Sequence, residues 1–399
     1  MENNNKSKMS LNENNKVPKL RFPEFTDEWK ISQLKNIFYL SNGLNKDKKY
    51  FGFGNPIINY LDVNKNVFLT KEIIKGNADT NAKEITRFSV FPNDVLFTRT
   101  SEMINEIGLT SCLTEIIPKC TFSGFLLRAR PIDCNLISLF FVYEFRSIKY
   151  RNKIIKVSTE TSRALINCKN LEKIIISYPS CIYEQQKISS FLYSLDKKIN
   201  ITTDKIKVLK QYKKGLLESI IFSWKKKSKK IHLYDLVNYK NSLLLINSLN
   251  NVEKGNYPIF DASGKSFVSV NFFLNNQDSI GIIKYGSSCG KIFNFKGKHS
   301  VIGTLGEMIP KDSSDIDFIY YYLLSNEFKR ITKKYTEIGT TPNLYFSDYS
   351  IFSLSYFEKE KRNQFCLIFK NLDILIQKSE TILSKIILIK QFLLNKLFI

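Results

Sequence analysis

The chain has 399 residues, 43% of them hydrophobic, which is enough for two or more domains with sizeable cores. Lys and Arg number 60 against 37 Asp and Glu, a formal net charge of +23. Such a charge favours a polyanion, either nucleic acid or an acidic membrane surface, over a neutral small molecule as the partner. The composition is also rich in Asn, Lys and Ile, so an AT-rich genome is an alternative explanation of the charge.

Cysteine usage and the chain ends predict a cytoplasmic protein. The seven cysteines are odd in number and form no C-x-x-C pair, which favours reduced thiols over disulfides or structural zinc. Residues 1–16 lack an apolar core, so we expect a disordered tail and not a signal peptide. The most apolar run, 382–399, is interrupted by Lys385, Lys390 and Lys396, so no membrane-spanning segment is expected.

In chain order, the tail is followed by two alternations of a globular unit with a long helix. The globular units contain short runs of Val, Ile, Phe and Tyr between turn residues, which predict strands with a few helices. The helical segments have apolar residues three and four apart and lack Pro over 184–222 and 361–399. The predicted segments are tail 1–16, unit 17–180, helix 181–223, unit 224–357 and helix 358–399.

The two long helices repeat one pattern at a displacement of 177 residues. The agreement includes an aspartate (Asp196, Asp373) and a lysine (Lys213, Lys390), and matched polar residues are much less common by chance than matched apolar ones. The first set of seam positions is Ile188, Leu192, Leu195, Ile199, Thr202, Ile206, Leu209, Lys213, Leu216 and Ile220. The second set is Phe365, Phe369, Leu372, Ile376, Ser379, Leu383, Ile386, Lys390, Leu393 and Leu397.

A narrow apolar seam on so long a helix requires a partner helix, and the other copy is the economical one. Each seam spans about 33 residues, or about 50 Å at 1.5 Å per residue. An antiparallel pair would relate the two units by a pseudo-twofold axis. The seam lysines Lys213 and Lys390 have two interpretations: they set the register of the helices, or their stems cover the seam while the ammonium groups reach solvent.

The repeat extends upstream into the globular units. Gly124 and Pro131 match Gly303 and Pro310, and a helical run at 139–145 matches one at 318–324. Strand-like runs at 173–177 and 350–354 then lead into the two long helices. The two tryptophans, Trp29 and Trp224, are each expected to open one half.

Each unit contains a polar loop after a strand that begins next to an aspartate, Asp94 or Asp278. Glycines there allow close backbone approach, hydroxyls and amides bind phosphate, and Arg or Lys reads guanine. A glycine-rich surface turn is the alternative for either loop. The basic linker 224–230 is either a solvated tether or a phosphate contact. The candidate DNA-binding residues are Arg87, Arg99, Thr100, Ser101, Lys284, Tyr285, Ser287, Ser288 and Lys291.

Motifs for catalysis are weak in this sequence. FGFGNP (51–56) is followed by strand-like residues instead of the helix that a phosphate-binding glycine loop requires. Asp317 with Glu327 and Lys329 has a superficial nuclease spacing, but Asp317 is better explained as an acid at a helix start. His232 and His299 show no evident partners and are interpreted as structural. We expect no catalytic residue, no metal site and no cofactor in this chain.

VPKLRFPEFTDEWK (17–30), the two polar loops and the duplicated block 184–222 resemble specificity subunits of bacterial type I restriction-modification systems. The resemblance implies an α+β protein in which two α/β target recognition domains are separated by a pair of antiparallel coiled-coil helices. Each domain would read one half of a bipartite double-stranded DNA target. The helices would act as spacer and as dock for two methyltransferase subunits, with restriction subunits added peripherally.

The resemblance also assigns the chemistry to the partners. S-adenosylmethionine, ATP and Mg²⁺ would belong to the other subunits of a DNA-methylating, phage-defence complex. The second helix begins EKEKRNQF (358–365) where the first has EQQKI, which predicts a less favourable methyltransferase dock on the second helix. The unlike loops of the two units predict an asymmetric target. A coiled-coil scaffold without sequence-specific DNA binding is the rival interpretation, and a silent recombinational cassette has the same sequence features.

Overall fold

The structure of the chain is a computed structural model that describes residues 17–160, 163–225, 228–249, 252–336 and 342–399. The predicted tail, 1–16, and Lys226 and Lys227 of the basic linker lie outside this range. The chain divides into unit 1, which runs to Ile201 and includes Leu383–Ile399, and unit 2, Thr202–Ile382. Both long helices are therefore shared between the units, whereas the sequence suggested that each is a segment of its own.

Unit 1 alternates strands with short helices before its first long helix. Its strands are β1 Lys30–Gln33, β2 Phe38–Asn42, β3 Phe51–Ile58, β4 Phe68–Leu69, β5 Asn77–Ala78, β6 Val95–Thr98, β7 Thr100–Ser101, β8 Thr110–Leu113, β9 Thr121–Phe122, β10 Leu126–Pro131, β11 Thr159–Glu160, β12 Ala164–Leu165 and β13 Ile175–Tyr178. Its helices are α1 Tyr60–Lys65, α2 Ala82–Phe88, α3 Ser138–Phe145, α4 Ile148–Val157, α5 Cys168–Glu172 and α6 Ile182–Trp224.

The main sheet of unit 1 has the order β2-β10-β6-β8-β4. Its central strand β6 is fully buried and pairs antiparallel with β10 and β8, so that Phe97 lies opposite Leu127 and Thr110. The buried side chains of α3, among them Phe140 and Phe141, pack in the core that also contains Phe97. Because β6 is held on both sides, the residues that follow it leave the sheet from a rigid position.

Unit 2 repeats the plan of unit 1 with fewer elements. Its strands are β14 Lys229–His232, β15 Val237–Asn241, β16 Lys254–Phe260, β17 Ser266–Val270, β18 Ser279–Ile283, β19 Ile292–Phe295, β20 Ser300–Val301, β21 Leu305–Pro310 and β22 Ser353–Tyr356. Its helices are α7 Leu233–Leu236, α8 Ile316–Leu323, α9 Asn326–Thr336, α10 Phe346–Ser350 and α11 Lys359–Lys396. The main sheet has the order β15-β21-β18-β19, with buried β18 in the place of β6.

The predicted repeat is confirmed at the level of single hydrogen bonds. Gly124 donates its backbone N–H to Leu44 O at 2.7 Å, and Gly303 donates to Leu244 O, also at 2.7 Å. The matched prolines end equivalent strands, β10 and β21, and the matched helical runs form α3 and α8. The residues 51–56 lie within strand β3, as their strand-like continuation predicted.

The tryptophans do not occupy equivalent places. Trp29 directly precedes β1 and packs with its ring centroid 5.6 Å from Phe140, as expected for a residue that opens a half. Trp224 is instead the last residue of α6, with its ring 4.2 Å from Phe357 and 5.2 Å from Phe365. The apolar contacts of Trp224 favour continuation of the helix to this residue, so the second half opens at β14.

The long helices α6 and α11 confirm the predicted helices to within a few residues. Gly215 is exposed in α6, and a Cβ added there would have no neighbour within 4 Å, so packing does not require glycine at this position. Over the described residues, no helix combines the length and apolar composition needed to cross a membrane. The predicted seam residues are all buried or half-buried: Ile188, Leu192, Leu195, Ile199, Leu209, Phe365, Phe369, Leu372, Ile376 and Ile386.

Within each unit the two long helices pack together through these seams. In unit 1, Ile188 and Leu192 of α6 share a core with Leu393 and Leu397 of α11. In unit 2, Lys213 and Lys210 of α6 pair with Asp373 and Glu380 of α11, so the chain positions run in opposite directions. The predicted antiparallel pairing is confirmed in unit 2 by this order of contacts.

Candidate nucleic-acid interface

Two of the predicted DNA-contacting basic residues, Arg99 and Lys284, occupy equivalent backbone positions. Each directly follows the central strand of its sheet, β6 or β18. Arg99 donates its backbone N–H to Phe125 O at 2.9 Å. Lys284 donates its backbone N–H to Thr304 O, also at 2.9 Å. The structure therefore places different side chains on one shared framework.

The loops that follow these residues close in the same way, through Gly108 in unit 1 and Gly290 in unit 2. Gly108 donates its N–H to Thr98 O and Gly290 to Ile283 O, both at 2.9 Å. Their φ angles are +64° and +84°, a region that favours glycine. A Cβ on Gly108 would also lie 2.5 Å from Ile154 Cγ2. We call residues 99–108 the β6–β8 loop and residues 284–290 the β18–β19 loop.

In the β6–β8 loop the polar side chains are only partly accessible. Arg99 is half-buried and donates from Nη1 to Gly124 O at 3.2 Å. Thr100 is half-buried, whereas Ser101 is buried and donates from Oγ to Glu106 Oε2 at 2.8 Å. Of these predicted residues, Arg99 and Thr100 keep a surface toward solvent, and Ser101 acts within the loop.

Arg87 lies elsewhere in unit 1, on the exposed side of α2. Its guanidinium carbon is 5.3 Å from the centroid of the Phe88 ring. The helix is started by Asn81, which accepts a hydrogen bond from Glu84 N at 3.0 Å. The contacts found among the described residues do not join Arg87 to the β6–β8 loop, and its role stays a prediction.

The predicted residues of unit 2 divide into one buried lysine and several exposed groups. Lys284 is 7% exposed and donates from Nζ to Asn241 Oδ1 at 3.1 Å, and burial lowers the pKa of its amino group. Tyr285 is 44% exposed. Exposed side chains that complete the predicted set are Ser287, Ser288 and Lys291.

Cavities lie beside both loops and bring in residues that the sequence did not indicate. In unit 2 a cavity of about 510 Å³ is lined by Lys284, Tyr285 and the segments 242–247 and 302–304. In unit 1 a cavity of about 330 Å³ is lined by Tyr60, Thr100, Ser101, Glu102, Glu106, Phe125 and Arg163. A second unit 1 cavity of about 530 Å³ shares Phe125 and is lined by Lys46, Lys48, Phe51, Gly52, Asn59, Lys75, Gly76, Asn77 and Ser123.

Phe125 could have been found from the repeat. It follows Gly124 as Thr304 follows Gly303, and it is 57% exposed between the two cavities. Tyr60 could not have been found from the sequence, because its importance depends on a contact with Glu106, which is 46 positions away.

The histidines have partners that the sequence did not reveal. His299 is buried, with Nε2 at 2.8 Å from Glu307 Oε1 and 3.0 Å from Ser279 Oγ. Burial opposes ionisation of Glu307, but hydrogen bonds from His299, Asn275 and Ser279 lower its pKa. The structural role predicted for His299 agrees with these contacts. They join Ser279 of β18 and Glu307 of β21 to His299 and Asn275, and these residues are not adjacent in sequence.

The possible nuclease residues do not form a metal centre. Asp317 lies in the first turn of α8, as expected, and its carboxylate is 2.5 Å from Lys370 Nζ. Glu327 lies 3.0 Å from Lys225 Nζ. Among the residues that the structure describes, no three His, Cys, Asp or Glu side chains are grouped so that they could hold a metal ion.

The start of α6 is an internal anchor of unit 1. Glu184 is 1% exposed and accepts hydrogen bonds from Arg21 Nε at 2.8 Å and Trp29 Nε1 at 3.1 Å. Gln185, also 1% exposed, accepts from Ile137 N at 2.9 Å. Two residues that distinguish EQQKI from EKEKRNQF, Glu184 and Gln185, therefore make hydrogen bonds within their own unit.

At the start of α11, buried Arg362 replaces these contacts with an ion pair, 3.1 Å from Asp315 Oδ1. The two helix starts thus differ in how each fixes its helix to its own unit. This difference accounts for the unlike sequences without any reference to a partner subunit.

The duplicated mixed units, each with a polar loop after a buried central strand, define a two-domain DNA-recognition protein built on paired long helices. The family model described as type I restriction modification DNA specificity domain matches residues 26–211 and 225–388. These matches cover most of the chain, which therefore belongs to this family, and its function is DNA specificity.

Two solved structures are similar to this chain along nearly its whole length. The S subunit of a type I restriction-modification system from M. genitalium has a TM-score of 0.65 and 18% identity, covering 96% of this chain and 99% of its own. A chain from a study of complex assembly and conformational transition of the type I R-M system has a TM-score of 0.58 and 11% identity, covering 92% and 96%. These likenesses concern the fold. No curated protein matches the sequence significantly.

Proposed function

We propose that this chain is the non-catalytic specificity subunit of a type I restriction-modification complex, in which each unit reads one half of a bipartite target. The observation that carries the proposal is the shared backbone framework at Arg99 and Lys284, with unlike side chains on it. Different donors and acceptors select different bases, so the two half-sites should differ in sequence. The net charge of +23 supports contacts to the phosphates of DNA.

The paired long helices act as the spacer between the half-sites. Each helix contributes residues to both units, and ion pairs hold the helices within each unit, Lys390 to Asp196 and Lys213 to Asp373. A seam of about 50 Å corresponds to roughly one to one and a half turns of duplex. A fixed gap between two half-sites follows from this arrangement.

Two methyltransferase subunits bind the outer faces of the long helices, and restriction subunits join peripherally. Exposed apolar side chains support this part of the proposal, since such groups often mark protein interfaces. On α6 they include Tyr183 and Phe222, which are 72% and 75% exposed, and on α11 Leu388, which is 63% exposed. The partners supply S-adenosylmethionine binding, ATP and Mg²⁺, as the family resemblance implies.

Mapping methylated bases in a genome that carries this gene and its methyltransferase tests the proposal. The expected result is one bipartite motif with unlike halves and a fixed gap, which disappears when the gene is deleted. A contiguous motif would contradict two separate readers, and methylation unaffected by the deletion would indicate a silent cassette.

The rival scaffold role is tested by DNA binding of the chain together with its methyltransferase partner. Specific binding that weakens steeply with salt is expected, because several phosphates are neutralised. The absence of DNA affinity in this complex would favour a coiled-coil scaffold instead.

A further inference from the structure

Glu106 lies at the centre of a hydrogen-bonded cluster in the 330 Å³ cavity of unit 1. Tyr60 OH donates to Glu106 Oε2 at 2.8 Å, and Ser101 Oγ donates to the same oxygen at 2.8 Å. A carboxylate has about four lone-pair positions on its two oxygens. Because both bonds end on Oε2, the group keeps capacity for further donors at Oε1.

These hydrogen bonds also hold Glu106 in its anionic form. Donation from Ser101 and Tyr60 lowers the pKa of Glu106, while burial raises the pKa of Tyr60 and keeps its hydroxyl protonated. Asn64 donates to Tyr60 OH at 3.2 Å and orients that hydroxyl. The cavity thus contains a positioned acceptor that carries negative charge at neutral pH.

The repeat places Glu106 among the predicted base-contacting groups. Glu106 precedes Gly108 by two residues, and Ser288 precedes Gly290 by two residues, where the two glycines close equivalent loops. Because of this equal spacing, Glu106 is the counterpart in unit 1 of Ser288, which was predicted from the sequence to contact DNA. The half-buried Glu106 side chain lines the cavity beside Thr100.

The charges around Phe125 indicate which part of DNA meets which cavity. The 530 Å³ cavity is lined by the exposed cations Lys48 and Lys75, which suit phosphate. A carboxylate repels phosphate, so Glu106 on the other side of Phe125 suits a base edge. In the major groove the amino groups of cytosine and adenine are donors, whereas guanine O6 and thymine O4 are acceptors.

We propose that Glu106 is a specificity-determining residue of unit 1 that accepts a hydrogen bond from the exocyclic amino group of one base, cytosine N4 or adenine N6. The same carboxylate rejects guanine and thymine at that position through repulsion of their carbonyl oxygens. This proposal rests on the proposed function, because it requires that unit 1 reads DNA.

In the test, the full chain bound to its methyltransferase subunits selects DNA duplexes from a mixture in the presence of S-adenosylmethionine. Each position of both half-sites is randomised in turn, and base preferences are compared between wild type and Glu106→Gln. The substitution keeps the size of the side chain but exchanges an acceptor for a donor. Glu72→Gln is the matched control, since Glu72 is an exposed carboxylate of unit 1 that lines neither cavity.

Wild type should select one base pair at the position that Glu106 reads, and whether this pair is C·G or A·T distinguishes the two donors. Glu106→Gln should reduce the discrimination against guanine and thymine at this position by about 5- to 150-fold, the range for one good base contact. The reason is that the amide nitrogen of Gln can donate to their carbonyl oxygens. The other half-site and the control variant should keep wild-type preferences. A second variant, Glu106→Asp, retains the charge but shortens the side chain, and should also relax that position.

Three results would overturn the proposal. Unchanged base preferences in both variants would show that Glu106 does not read a base. A uniform change of affinity with preferences unchanged would indicate a structural or merely repulsive role, and complete loss of binding would count in the same way. If wild type itself selects no bipartite site, the proposed function fails, which is a separate outcome.

Discussion

Lys390 Nζ of α11 lies 2.5 Å from Asp196 Oδ1 of α6, and the other oxygen of that carboxylate accepts a hydrogen bond from Tyr143 OH at 2.8 Å. Unit 2 repeats the arrangement with Lys213, whose Nζ lies 2.5 Å from Asp373 Oδ1. Tyr321 OH donates to Asp373 Oδ2 at 2.9 Å. The repeated lysine and aspartate therefore pair between helices, and each pair is fixed by a tyrosine of its globular unit. This favours the register-setting interpretation of the seam lysines.

Removal of the seam lysine should lower the free energy of unfolding more in unit 1, where it is Lys390, than in unit 2, where it is Lys213. The Asp196 side chain is 10% exposed and that of Asp373 is 42% exposed. Lys390→Met should lower the free energy of unfolding by about 3 kcal/mol, because it leaves a buried charge without its partner. Lys213→Met should cost below about 1 kcal/mol, since water reaches Asp373. Denaturant unfolding of both variants measures the difference.

The double variant Asp196→Asn, Lys390→Met is the control for this prediction. It removes both charges and should recover part of the loss. Equal losses for the two lysine variants would contradict the argument from exposure.

Glu144 should make the stability of unit 1 fall as pH rises. Burial raises the pKa of Glu144 to about 8 from 4.5, although Ser177 N donates to it and Lys153 lies nearby. Between these values the unfolded state loses a proton that the folded state keeps, so stability present below about 4.5 is lost as pH rises through about 8.

Glu144→Gln should remove this fall and raise stability at pH 8 by up to a few kcal/mol. Thermal unfolding from pH 5 to 8 measures it, with Glu72→Gln as the exposed control. In unit 2 a tyrosine takes the place of Glu144: the Tyr322 hydroxyl accepts a hydrogen bond from Ser355 N at 3.1 Å. A wild-type slope in Glu144→Gln would show that another group is responsible.

Arg99→Ala and Lys284→Ala should each affect one half-site only. The two residues occupy equivalent positions in different units, so each substitution removes a positive group beside its own loop. The free energy of binding should weaken by about 1–3 kcal/mol, the cost of losing one base contact. Binding to duplexes altered in one half at a time measures the effect, and each variant is the control for the other. Equal sensitivity at both halves would mean that the reading residues lie elsewhere.

A heptad inserted into both long helices should lengthen the gap in the target without changing either half. Insertion after Ile201 and after Ile382 leaves each lysine–aspartate pair within its own unit. Seven residues add about 10 Å, or about three base pairs. The methylated motif reports the gap, and insertion into one helix alone should destabilise the protein. An unchanged gap with an altered half-site would contradict the spacer role.

The long helices, the repeat and the loops after the central strands could be predicted from the order of the amino acids. Helical periodicity and the spacing between copies are present in linear order, so Ile188 and Phe365 could be placed on seams without coordinates. The same holds for Arg99 and Lys284, since each follows an apolar strand at a matching place. The expectation that each tryptophan opens one half was wrong for Trp224, which ends α6 and packs against Phe357 and Phe365.

Which of these polar groups are accessible and which are paired became known from the folded structure. It showed that Lys284 and Ser101 are buried, that Glu184 is an internal anchor, and that His299 binds Glu307. It also brought Tyr60 and Glu106 into one cavity and paired Lys390 with Asp196. Burial and hydrogen bonding depend on distances between residues far apart in the chain, and periodicity within a segment contains no information about those distances.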